Sequence, residues 1–190
     1  MKMLKQFFLT VLFHLIYFNA FAQVKQINLY LPDEDVEKQV DNLLYQVVRE
    51  PIKNEADIVF HLPLADFRVT SKFGQRTHPV TGKHDFHQGV DLVSNDKIVR
   101  NMMKGKVISV GFHKNLGNYV KVDHGYIQTV YGHLAVITVE VKQVLAAGYP
   151  IGIIGRTGRV TGEHLHFGVL FNDVNIDPLH FIQQLNKQEY

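Results

Sequence analysis

Gly162-Glu163-His164-Leu165-His166-Phe167 opens a run that stays β-patterned to Phe171. A strand sends residues i and i+2 to the same face, so an extended chain here sets His164 and His166 side by side. Upstream stands His87-Gln88-Gly89-Val90-Asp91, a further histidine and a carboxylate four residues apart. Between these stretches the chain is built of short runs rich in β-branched and aromatic residues. They include Val107-Ile108-Ser109-Val110, Tyr119-Val120-Lys121-Val122, Thr129-Val130-Tyr131, residues 136–141 and residues 151–154. Gly105, Gly111, Gly117, Gly125, Gly148, Gly152, Gly155, Gly158 and Gly162 separate them at turns. Many short strands with no long helix between them predict a mostly β fold, an antiparallel sandwich or small barrel.

Two helices are expected outside that β region. Val36, Val40, Leu43, Leu44, Val47 and Val48 form one apolar stripe at helical spacing, ended by Pro51, so an amphipathic helix is expected near residues 34–50. Asp33, Glu34 and Asp35 place negative charge at its positive end. Asp177-Pro178 reads as an N-cap followed by proline at the first helical position. The short C-terminal helix it starts carries Leu179, Phe181, Ile182 and Leu185.

The 190 residues suffice for one domain with a core. A net charge of +2, with lysine and arginine scattered, argues against a nucleic-acid partner. The chain has no cysteine, so a zinc site here must be made of histidine and carboxylate. Basic residues at the start, an apolar stretch from Phe7 to Phe18 and the small-x-small pattern Ala20-Phe21-Ala22 read as a secretory signal peptide cut after Ala22. The apolar stretch is shorter than the ~20 residues a spanning helix needs, so no stable membrane span is expected after cleavage. The expected organisation is a signal peptide over 1–22, an extension with the amphipathic helix over 23–57, the β-domain over 58–185 and a tail over 186–190. Its address is exported: periplasm or cell envelope of a bacterium.

Two neutral imidazoles and a carboxylate, with one position open for water, are the donor pattern of a catalytic zinc site. Spacing alone does not choose between His164 and His166 as the ligand. The same donors suit non-haem iron as well, which export and the additional histidines argue against. His133, in Tyr131-Gly132-His133-Leu134 at the end of a β-patterned run, is a further candidate for proton transfer or transition-state stabilisation. Most of the 11 histidines need no such role. His61, His113 and His180 read as structural, His78 and His84 as loop residues, and His124 as a cap on the turn at Gly125.

Taken together, His87-x-Gly-x-Asp91, Tyr131-x-His133-Leu134 and Gly162-x-His164-Leu165-His166-Phe167 resemble the lysostaphin/LytM-type zinc endopeptidases. The blocks Ser71 to Arg76, His78 to Lys83, Gly105 to Val107, Gly117 to Val120 and Gly155 to Gly158 fall in that family's order. The resemblance covers about residues 67–182. It implies a β-domain with a groove across a sheet and Zn2+ at its floor. It implies His87, Asp91 and His166 as zinc ligands, with His133 and His164 as the non-ligand catalytic histidines. The implied substrate is the stem peptides of peptidoglycan; the exported address, not the resemblance, points to the D,D cross-link as the bond cut. A non-catalytic member that binds or regulates wall enzymes is the alternative, and a regulatory protein partner is a further expectation. Asn101-Met102-Met103-Lys104 and the turn His124-Gly125-Tyr126 depart from the family's usual pattern.

Overall fold

A computed structural model of the chain describes residues 59–77 and 82–186, all within one folded unit. The expected signal peptide, amphipathic helix and chain end lie outside the described residues, as does the His78-Pro79 loop. The described residues form twelve strands and one helix. The strands are β1 (Arg68–Ser71), β2 (Gly74–Thr77), β3 (His84–His87), β4 (Val90–Val93), β5 (Ile98–Arg100) and β6 (Gly105–His113). They continue as β7 (Gly117–Asp123), β8 (Ile127–Ile137), β9 (Val144–Leu145), β10 (Pro150–Ile154), β11 (Leu165–Phe171) and β12 (Val174–Ile176). Helix α1 spans Pro178–Asn186.

Ten strands form one antiparallel sheet in the order β1-β4-β11-β8-β7-β6-β9, with β10 joining β8 to β5 and β12 beside β11. The remaining pair, β2 and β3, forms a separate two-stranded sheet. The small-barrel expectation is therefore corrected. The path ends at β1 and β9, which do not pair with each other, so no barrel closes among the described residues.

In the central strands β4 and β11 the alternate positions that face the core are apolar and buried. In β4, Val90 and Leu92 are fully buried; in β11, Leu165, Phe167 and Val169 are. Tyr131 of β8 packs on Phe167 with ring centroids 5.4 Å apart. This apolar face leaves the alternate residues, Asp91 and His166, on the opposite face, and the two are directly paired across β4 and β11.

Strand β8 departs from the expected pattern in an informative way. The sequence reads as two runs broken at Gly132-His133, whereas the structure carries one strand straight through. Opposite it, Val120 pairs with Tyr131 and Asn118 with Leu134, so β8 holds one residue more than β7 between those rungs. That is a β-bulge. It shifts the alternation: Thr129 and Tyr131 are core residues before it, and Leu134 after it. His133 thus lies inside a strand and not at its end.

Helix α1 starts as expected, with Asp177 Oδ1 accepting from Leu179 N–H at 2.8 Å. Phe181, Ile182 and Leu185 are buried. The turn at Gly125 differs from its reading. Asp123 Oδ1 accepts the Gly125 N–H, while His124 turns inward between Lys104 O and Thr129 Oγ1.

Candidate metal centre

Five side chains singled out by the sequence meet at one place. His87 ends β3, Asp91 and His166 face each other on β4 and β11, His164 forms the bridge to Gly155 just before β11, and His133 sits in the β8 bulge. His87, Asp91, His133 and His166 are all buried.

Three donor atoms form a nearly equilateral triangle. His87 Nε2 is 3.1 Å from Asp91 Oδ1, His166 Nδ1 is 3.2 Å from the same oxygen, and the two nitrogens are 3.1 Å apart. Ligands held 2.0–2.1 Å from a tetrahedral ion stand about 3.3 Å from one another. The triangle therefore has the dimensions of one face of a zinc tetrahedron, and these residues fit the metal. His164 Nε2 lies 3.5 Å from Asp91 Oδ1. Asp91, His133 and His164 make a second group whose donor atoms lie within 4.8 Å of one another.

Backbone carbonyls select the ring nitrogens. His87 Nδ1–H donates to Lys72 O at 2.9 Å, His133 Nδ1–H to Thr157 O at 2.9 Å and His164 Nδ1–H to Gly162 O at 3.0 Å. A carbonyl oxygen only accepts, so each bond leaves the opposite nitrogen, Nε2, with its lone pair toward the centre in the neutral ring. His166 is turned the other way and presents Nδ1.

His133 has φ 64°, a left-handed conformation that costs a non-glycine residue roughly 1–2 kcal/mol. The bulge holds it there. Its N–H donates to Leu116 O at 2.6 Å and its ring to Thr157 O. Thr157 is in turn fixed by its hydroxyl, which donates to Leu134 O and accepts from Asn118 N–H, both at 2.9 Å. Gly158 packs so tightly on Gly117 that a Cβ would stand 2.3 Å from the Gly117 nitrogen.

The local field separates the charge states of these groups. Burial alone would raise the Asp91 carboxyl, but hydrogen bonds from His164, His166 and His87 hold it well below the usual carboxylate range. Burial, with His164 and His166 nearby, lowers His133 to about 4. Burial also lowers His166, outweighing the pull of Asp91. For His164 the balance reverses: burial opposes the charged form, yet the bond to Asp91 and its charge raise the imidazole above its ordinary value.

Several contributors carry no signal at the level of residue type. Lys72 and Thr157 act through carbonyls. Arg76 Nη1 lies 3.4 Å from Asp91 Oδ2, and the block containing it was legible only as motif context. Gly89 was legible as a motif position, but the reason it must be glycine was not. A Cβ there would stand 2.5 Å from Phe167 O and 2.8 Å from His166 Cε1 and Nε2, so the position must be bare for the His166 ring to sit against it. Gly89→Ala is expected to cost about 1–3 kcal/mol of stability and, by displacing that ring, to weaken the hold of the donor triangle on any metal it binds. Thermal melts with and without zinc, and chelator competition, measure both effects; unchanged values would show that the ring has room to move.

Residues 85–178 match Peptidase family M23. The peptidoglycan DD-endopeptidase ShyB of Vibrio cholerae serotype O1 is 39% identical over 115 residues, 59% of this chain and 27% of its own length. A zinc-containing peptidase of Vibrio cholerae superposes with a TM-score of 0.56 at 37% identity, over 62% of this chain and 38% of the other. The catalytic domain of lysostaphin, an antimicrobial peptidase of Staphylococcus simulans, gives a TM-score of 0.56 at 28% identity, over 62% of this chain and 92% of that domain. This chain spans about a quarter to a third of the length of the curated relatives it matches.

Proposed function

The chain carries a peptidase family M23 domain, and from that premise we propose that it is an exported zinc-dependent endopeptidase that hydrolyses peptide cross-links of peptidoglycan. The observation that carries this reading is the donor triangle of His87 Nε2, Asp91 Oδ1 and His166 Nδ1, with two further histidines beside it. These three residues are the proposed zinc ligands. Bound there, zinc lowers the pKa of a water molecule to about 7 and polarises the carbonyl under attack.

The protein's own groups do the rest. His133, neutral and aimed by Thr157 O, offers the Nε2 lone pair to the proton of the attacking water. His164, when protonated, presents Nε2–H where negative charge grows on the tetrahedral carbon's oxygen. Both are held by backbone carbonyls, so little reorganisation is needed when substrate arrives.

The peptidoglycan assignment draws on the relatives, among them a DD-endopeptidase, and points to the D,D cross-link between stem peptides. The exported address rests on residues 1–22, and no helix among the described residues is long and apolar enough to cross a membrane. The test is digestion of purified sacculi with mass spectrometry of the released muropeptides. Cross-linked dimers are expected to fall to monomers, digestion to stop with a chelator and to return with zinc. Zinc-loaded protein that leaves the cross-links intact would overturn the proposal.

A further inference from the structure

The donor triangle spans both sheets. His87 belongs to the two-stranded sheet of β2 and β3, while Asp91 and His166 belong to the ten-stranded one. Something must hold the small sheet at the right distance from the large one. Arg76, on β2, makes a link between them. Its Nη1 donates to Ser71 Oγ at 2.7 Å and lies 3.4 Å from Asp91 Oδ2. Its Nε is buried without a hydrogen-bond partner among the described residues, so the head group is anchored through Nη1. Ser71 is in place because β1 carries a bulge. Val69 pairs with Leu92 and Ser71 with Asp91, leaving Thr70 as the extra residue, and Thr70 Oγ1 donates to Asp91 O at 3.1 Å.

The two oxygens of Asp91 are thereby given different work. Oδ1 meets His87, His166 and His164, and Oδ2 meets the guanidinium. A carboxylate's terminal torsion is soft, and nothing in the group itself prevents rotation or two-oxygen chelation of a cation. We propose that Arg76, anchored on Ser71, is a positioning residue that holds Asp91 Oδ2 outward, so that Oδ1 alone faces the metal and a coordination place stays open for water. This rests on the zinc reading of the same site. Partners that orient a metal ligand typically contribute 10–100-fold in affinity.

The test measures metal binding apart from turnover. Zinc affinity is measured by chelator competition on the full protein, and the visible spectrum is recorded after cobalt(II) replaces zinc. Arg76→Met is expected to bind zinc about 10–100-fold more weakly. Its cobalt bands should weaken in the way that marks higher coordination, because the freed carboxylate chelates through both oxygens. Arg76→Lys keeps the charge without the planar head group and should recover part of the affinity. Ser71→Ala removes the anchor with little change in volume and should show the same shifts in smaller degree; it carries the test if Arg76→Met does not fold. Affinity and cobalt spectrum unchanged in the folded variants would overturn the positioning role while leaving the zinc reading intact. A wild-type protein that binds no zinc would instead overturn the reading on which it rests.

Discussion

On the proposed function, His166→Ala is expected to yield a folded protein that no longer holds zinc and, with it, loses all hydrolysis of peptidoglycan cross-links. The reason is geometric. His166 Nδ1 supplies one corner of the triangle, 3.2 Å from Asp91 Oδ1 and 3.1 Å from His87 Nε2. Structural zinc sites with four ligands are worth about 10–16 kcal/mol, so one ligand is worth about 2.5–4 kcal/mol, or on the order of 10²–10³-fold in affinity. A chelator that leaves the wild type loaded should then strip the variant. The fold should survive, because Leu165 and Phe167 keep the apolar face of β11 buried and its pairing with β4 and β8 is made by the backbone. Metal analysis, circular dichroism and muropeptide release together check this. His164→Ala is the control: its Nε2 stands 3.5 Å from Asp91 Oδ1, outside the triangle, and the variant should keep zinc. Zinc kept by the His166 variant and lost by the His164 variant would exchange the two roles.

His133→Ala should separate metal binding from chemistry. None of the three short donor contacts involves His133, so about one zinc per chain is expected to remain. Its ring lies 4.7 Å from that of His164 and 5.7 Å from that of His166, centroid to centroid, close enough to serve the atoms that react there. Loss of a positioned acid–base group typically costs 10²–10⁴-fold, so kcat should fall by about that factor while KM changes little. Alanine takes the left-handed backbone no more readily than histidine does, so the bulge gains no relief from the change. A variant that retains wild-type kcat would remove His133 from the chemistry. One that loses zinc would place it among the ligands instead.

Local patterns made much of this site readable. His164 and His166 were expected on one face of a strand, and both reach Asp91 Oδ1. The N-cap at Asp177 and the apolar face of α1 were legible because capping and helical spacing act over a few residues. What failed was local inference about places where another strand decides the outcome. The break at Gly132-His133 looked like a strand end, yet pairing with β7 and β11 carries the chain through a bulge. His124 looked like a turn cap because the Lys104 carbonyl and Thr129 hydroxyl that claim its ring are invisible in the sequence around Gly125.

By itself the sequence determined a mostly β chain, and it singled out the histidines and the aspartate that the fold brings together. These follow from side-chain chemistry and the two-residue repeat of a strand. Only the tertiary structure decided that no barrel closes among the described residues, which nitrogen of each histidine faces inward, that His133 is turned by a bulge, and that Arg76 stands behind Asp91. Each of those depends on a carbonyl, an oxygen or a strand contributed from many residues away. Spacing along one chain segment specifies which side chains share a face, whereas distances of 3.1–3.2 Å between donors on three strands exist only once those strands are paired and packed.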